Sequence, residues 1–170
     1  MIKSKIRSDK KEFLMRFDIG TVKHLGYQMY STVPAVIGEL VSNAWDADAP
    51  TVKIIIPTTS IDDKSEIVII DDGSGMSEEE IEEKYLIVSR GRREEEQDKP
   101  NPVKKRKVMG RKGIGKFSGF GVSGEIEIES AKKGQVSRFV MNLEDLEKHA
   151  GDRQIRFPAL EPTGKVKTGT

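Results

Sequence analysis

Three groups of residues have the types and spacing to do chemistry. The first is Glu39-Leu-Val-Ser-Asn43-Ala-Trp-Asp46. Read as a helix, Glu39, Asn43 and Asp46 fall at i, i+4 and i+7 and share one face. That face presents an acid, an amide and a second acid. Asparagine is a poor helix former and gains nothing in mid-helix unless its side chain has a task. The second group is Asp71-x-Gly73-x-Gly75, placed where an apolar strand ends. A carboxylate held there can accept a hydrogen bond from an exocyclic amine such as that of adenine. The glycines let backbone approach a flat ring or a ribose without a Cβ in the way. The third is Gly110-x-x-Gly113-x-Gly115. Its backbone amides are free to point at phosphates just ahead of a helix start, and Lys112 and Lys116 could add charge.

Each group also has an ordinary reading: an amphipathic helix with a solvated face, a strand-to-helix turn, a flexible glycine loop. Their order along one chain raises the functional reading above the ordinary one. Two competing motifs fit less well. Gly110 to Lys116 nearly matches the P-loop, but Phe117 stands where Ser or Thr is required and a basic segment, not a strand, precedes it. Gly119-Phe-Gly121-Val-Ser-Gly124 matches the dinucleotide pattern, yet no clear strand leads into it.

The elements that must position these groups follow from local pattern. Residues 1–16 are charged and weakly patterned and read as an arm or short helix, and 17–19 as a short strand. Residues 21–30 and 33–48 read as helices. The second has Pro34 near its start, Ser31 or Thr32 as a cap, and Ala49-Pro50 at its end. Ile37, Leu40, Val41, Ala44 and Ala47 make its apolar stripe, suited to a sheet. Residues 51–56 and 66–70 are rich in β-branched residues and read as strands. Ser77 caps a helix to about Val88, with Glu78, Glu79 and Glu80 in the first turn, where the helix dipole favours acids. Residues 125–130 and 136–141 form a hairpin around Lys133-Gly134. Residues 143–150 are a short helix capped by Asn142, and 153–157 a further strand.

Composition narrows the class. The 170 residues carry 29 basic and 28 acidic side chains, a net charge of +1, which advertises neither nucleic acid nor membrane as partner. There is no cysteine, and the two histidines, His24 and His149, are too far apart to imply a zinc site. No apolar run approaches the ~20 residues that span a bilayer. A soluble cytoplasmic protein is the simplest expectation. Residues 90–112 change character: they are dense in charge, carry Pro100 and Pro102, and read as a lid. The basic run Lys104–Lys107 inside it resembles a nuclear-import signal, but its place between two phosphate-type motifs favours a solvated lid segment.

The ordered set Glu39-x-x-x-Asn43-x-x-Asp46, Asp71-x-Gly-x-Gly75, Gly110-x-x-Gly-x-Gly115 and Gly169-Thr170 resembles the GHKL ATPase superfamily. That group contains DNA gyrase B, the ninety-kilodalton heat-shock chaperones, sensor histidine kinases and MutL. The stretch Glu39 to Ala49 is most similar to MutL, the MORC ATPases and related bacterial proteins. The resemblance spans residues 17–170, leaving 1–16 as an N-terminal arm. It implies a Bergerat-type α/β two-layer sandwich: a mixed, mostly antiparallel sheet, helices on one face, and a mobile ATP lid at about 90–112. It also implies ATP and Mg²⁺ as cofactors, with Asn43 as the Mg²⁺ ligand. Asp71 would bind the adenine amine, Gly73 and Gly75 would shape the base pocket, and Thr170 would support the Asp71 contact. The glycine loop with Gly110, Lys112, Gly113, Ile114, Gly115 and Lys116 would take the phosphates, and Asp46 and Met76 complete the nucleotide contacts. Glu39 would be the general base for hydrolysis.

By the same resemblance the expected partners are an adenine nucleotide, a second copy in an ATP-dependent dimer, and a following domain of the same protein. Histidine kinases usually carry Asn at the position of Glu39, so a kinase domain is the enzyme alternative. An ATP-sensing scaffold without turnover is the alternative from another class. Two points depart from the better-known members. Ser89-Arg90 stands where a Ser/Thr-Lys type turn is common. The sequence also stops at Gly169-Thr170, where the family continues into a strand, so an N-terminal piece of a larger protein is expected.

Overall fold

A computed structural model describes residues 12–16, 32–58, 62, 64–87, 109, 115–149 and 154–164. The chain mixes helices with antiparallel strand pairs, the content of an α/β fold. Helix α1 runs Val33–Asp46. Thr32 precedes it in extended backbone, with Pro34 in the first turn, where a missing amide hydrogen is harmless. Its end is a Schellman cap. Asp48 N–H donates to Trp45 O and Ala49 N–H to Ala44 O, both at 3.0 Å. Asp48 takes the left-handed position (φ 59°) that usually falls to glycine. Ala44 and Ala49, the two residues that close this cap, are both buried.

Strand β2 (Val52–Ile55) pairs antiparallel with β3 (Val68–Asp71), Val52 opposite Asp71. β4 (Glu125–Lys132) and β5 (Gln135–Asn142) form a tight hairpin. Its two loop residues, Lys133 and Gly134, both have positive φ (50° and 80°), the geometry that matches strand twist in a two-residue turn. Alternation directs Ile126, Ile128 and Ser130, with Met141, Phe139 and Ser137 opposite them, to the core side. A polar ladder lies on the other face. Arg138 Nε reaches Glu127 Oε1 at 2.7 Å, and Glu129 accepts from both the amide and the hydroxyl of Thr163.

Two elements differ from the sequence expectation. Residues 12–16 are a strand, β1 (Glu12–Arg16), antiparallel to β6 (Gln154–Pro158), with Phe13 opposite Phe157. The helix after Ser77 is shorter than expected. Helix α2 (Glu78–Glu80) passes at once into a π turn at Ile81–Tyr85, closed by Leu86 N–H to Ile81 O at 2.8 Å. The wider turn keeps both Ile81 and Leu86 fully buried. Ser77 caps α2 as expected, through a capping box with Glu80. Asn142 caps helix α3 (Leu143–Lys148) by accepting from Glu144 N–H.

The core gathers Phe13, Ile81, Leu86, Phe117, Phe139, Met141, Ile155 and Phe157. Phe139 is its centre, with the rings of Phe13 and Phe157 at 5.0 and 6.0 Å. Among the described residues no helix is long and apolar enough to cross a membrane.

Candidate functional site

Helix α1 is the rail on which the three sequence motifs meet. Gly115, at the end of the glycine motif, comes against the acid-amide-acid face beside Glu39, while Asn43 stays exposed. A methyl group on Gly115 would stand 2.8 Å from Glu39 Oε2 and 3.9 Å from Asn43 Oδ1. Gly115 opens the 3-10 helix Gly115–Gly121, which lies along α1. Near the helix end, Asp46 Oδ1 accepts the amide of Met109 at 2.7 Å, across 63 residues of chain. At the cap, Ala47 O accepts Ser74 N–H at 2.9 Å. Glu39 to Ala47 covers about 12 Å of helix. Within that length stand Gly115 at one end and the Asp71 turn at the other.

The Asp71 turn divides labour between its two acids. Asp72 Oδ1 accepts Thr51 N–H at 2.7 Å and so pins the start of β2. Asp71 is exposed; its Oδ1 accepts Gly73 N–H at 2.9 Å, which leaves Oδ2 without a partner among the described residues. Gly73 and Gly75 have reasons of their own. A Cβ on Gly73 would meet Ala47 Cβ and Asp71 Oδ1 at 2.8 Å. One on Gly75 (φ 60°) would fall 2.0 Å from the Ala131 carbonyl oxygen. Close approach of turn to helix cap and to β4 therefore demands both glycines before any ligand is considered. Met76 continues this join: its amide donates to Ser130 Oγ at 2.9 Å and its side chain packs on the core.

Lys116 is packed into the fold. Its side chain is buried, its Nζ donates to Ile87 O at 2.9 Å, and it lies 5.7 Å from the ring centres of Tyr85 and Phe117. Burial disfavours the ammonium and lowers its pKa from 10.5 to about 8. The same packing raises the pKa of the Tyr85 phenol. Gly110, Lys112, Gly113, Ile114 and Thr170, and the segment 90–112 apart from Met109, lie outside the described residues.

Glu39 and Asn43 bring hard oxygen donors to one spot, the kind Mg²⁺ takes. Among the described residues no three His, Cys, Asp or Glu side chains gather to hold a metal.

Sequence reasoning missed Ser130 and the Asp48 cap. Ser130 carried a signal, being a polar residue at a core-facing position of an otherwise regular alternation, and such a hydroxyl needs a partner.

Comparison with known proteins agrees with this arrangement. Over 159 residues the chain is 39% identical to a protein of Herpetosiphon aurantiacus named "Putative type II restriction enzyme HgiDII". The match covers 92% of this chain and 24% of that relative, so the chain spans about a quarter of the relative's length. The family model described as histidine kinase-, DNA gyrase B- and HSP90-like ATPase matches residues 30–168. The chain belongs to this GHKL ATPase family.

Proposed function

We propose that the chain is a Mg²⁺-dependent ATP-binding domain that hydrolyses ATP, built as a Bergerat-type sandwich. The observation that carries this reading is the meeting of Gly115, Met109 and the Asp71 turn on successive turns of α1. Asp71 receives the adenine amine on its unengaged oxygen. The backbone around Gly73 and Gly75 forms the floor of the base site. Gly110–Gly115 and Thr170 belong to the same site by family pattern. Asn43 is the protein ligand for Mg²⁺, which when bound supplies positive charge to the phosphates. Glu39 accepts the proton of the attacking water as the bond between the γ-phosphorus and the β,γ-bridging oxygen breaks.

In a longer protein of the kind the restriction-enzyme relative represents, this cycle would drive a conformational or dimerisation switch that gates action on DNA.

Two substitutions test the reading. Asp71→Asn exchanges the acceptor for an amide and should weaken ATP binding about ten- to a hundred-fold, the worth of a hydrogen bond to a charged group. Glu39→Ala should leave affinity near the wild-type value and slow single-turnover hydrolysis about 10²–10⁴-fold. Equal ATP affinity of wild type and Asp71→Asn by calorimetry would reject the base site. Unchanged hydrolysis in Glu39→Ala would reject the catalytic assignment alone.

A further inference from the structure

The turn from Asp71 to Met76 is held by three other elements. At its entry Asp71 stands opposite Val52 in the β2–β3 pair. At its middle Ser74 N–H donates to Ala47 O on the cap of α1 at 2.9 Å. At its exit Met76 N–H donates to Ser130 Oγ on β4, also at 2.9 Å. The first two ties use backbone alone, whereas the third depends on one hydroxyl. Ser130 is an unusual residue for its place. It is buried on the core side of β4, in line with Ile126 and Ile128. A hydroxyl there is costly to desolvate unless it is bonded. Lys132, two residues on and on the same face, also reaches this stretch, with Nζ 2.5 Å from Glu80 Oε2. The end of β4 thus gives up apolar packing for two polar ties to residues 76–80. The Lys132 tie holds α2, and the Ser130 tie holds the turn itself. Asp71 Oδ1 accepts Gly73 N–H, so the carboxylate follows the backbone of that turn.

We propose that Ser130 is a positioning residue for recognition of the adenine base, acting through the Met76 amide on the Asp71 turn and not by touching nucleotide. The inference rests on the ATP-binding reading above. It sets a requirement that a purely structural hydroxyl would not. Loss of Ser130 Oγ must harm recognition of the exocyclic amine that Asp71 receives more than it harms binding of the rest of the nucleotide.

The experiment compares wild type, Ser130→Ala and Ser137→Ala in the full chain. Ser137 stands opposite Ser130 in the hairpin and is likewise buried, so its alanine variant controls for the loss of a buried hydroxyl. In the ligand-free protein, exchange of the Met76 amide hydrogen is followed. Calorimetry then measures affinities for a non-hydrolysable ATP analogue and for its inosine counterpart, which carries a carbonyl in place of the amine. Ser130→Ala should speed Met76 exchange at least about five-fold and weaken the adenine analogue about five-fold, the worth of one neutral hydrogen bond, with the inosine analogue changed less than about two-fold. Ser137→Ala should keep the wild-type ratio of the two affinities. Unchanged Met76 exchange in Ser130→Ala overturns the proposal. So does an equal loss for the two analogues, and so does a Ser137→Ala variant that shifts their ratio as far as Ser130→Ala. Wild type that binds the two analogues equally, or neither, overturns the base-site reading and the positioning role together. That result is distinct, because the exchange data would still show Ser130 holding Met76.

Discussion

Gly75→Ala separates backbone strain from collision, because the hairpin carries its own control. Gly75 and Gly134 both sit at positive φ, 60° and 80°. An alanine at either pays the left-handed penalty, about 1–2 kcal/mol, partly offset by the lower entropy of its unfolded chain. Gly134→Ala meets nothing else, since no atom lies within 4 Å of its added Cβ. Gly75→Ala drives its Cβ to 2.0 Å from the Ala131 carbonyl oxygen, with the carbonyl carbon at 3.0 Å. Neither is a flexible side-chain end, so turn and strand must part by more than an ångström. The Met76 amide bond to Ser130 Oγ would go with them, adding about 1 kcal/mol or more. We expect Gly134→Ala to cost about 1 kcal/mol and Gly75→Ala about 3 kcal/mol or more. In a chain of this size these correspond to falls in Tm of about 2–4 °C and at least about 6 °C. Urea denaturation, with the slope checked for constancy, reads both. Equal losses in the two variants would refute the collision argument.

Three further outcomes follow from other sites. Glu80 is held at a pKa of about 2, down from 4.5, chiefly by Lys132 at 2.5 Å and by the Ser77 cap. A depressed carboxylate stabilises above its unfolded pKa, so the advantage of wild type over Glu80→Gln should be full above about pH 5 and fade as pH falls from 4.5 towards 2. Discounted for solvent screening it is about 1–2 kcal/mol, and an advantage that persists at pH 2 in denaturant titrations would contradict the pairing. Lys116 gives a slope of the same sign but starts from a penalty: with a folded pKa near 8 and an unfolded one of 10.5, the unfolded chain binds more protons between those values, and burial of the ammonium costs stability below pH 8. Wild type should therefore gain stability on Lys116→Met, by up to about 3 kcal/mol, as pH rises from 8 to 10.5; a pH-independent difference would show that the ammonium is not desolvated. Asp48→Gly relieves left-handed strain and removes a buried carboxylate oxygen that has no partner among the described residues, and should raise stability by about 1 kcal/mol by thermal melting. A loss would mean that Asp48 makes a compensating interaction.

Spacing alone put Glu39, Asn43 and Asp46 on one face, and local chemistry announced the Ser77 and Asn142 caps and the Lys133-Gly134 turn. These features are decided within a few residues. β1 was missed because Glu-Phe-Leu-Met-Arg has no alternation. It is a strand only by pairing with β6 at the far end of the chain, and such pairing overrides local preference. The surroundings of Lys116 were not legible for a related reason. A lysine beside a glycine loop reads as a phosphate cation until the fold brings Ile87 O and Tyr85 to it. The glycines of the Asp71 turn were legible as necessary but not as necessary to what. Their neighbours, Ala47 and Ala131, belong to other elements.

The contacts that assemble the pocket have one property in common, which bears on kinetics. Met76 reaches Ser130 across 54 residues and Asp46 reaches Met109 across 63. The helix, the β2–β3 pair and the tight β4–β5 hairpin need only nearby partners, whereas the pocket needs all of them in place. Loop closure must be met before such distant contacts give any return, so the pocket belongs to the last stage of folding. Interactions that form after the transition state slow unfolding and leave the folding rate alone. A bound nucleotide should accordingly act as a brake on escape from the native state and not as a nucleus for reaching it. In a chevron plot it would lower the unfolding limb and leave the refolding limb in place, and a matching rise in the refolding limb would show that the pocket forms early.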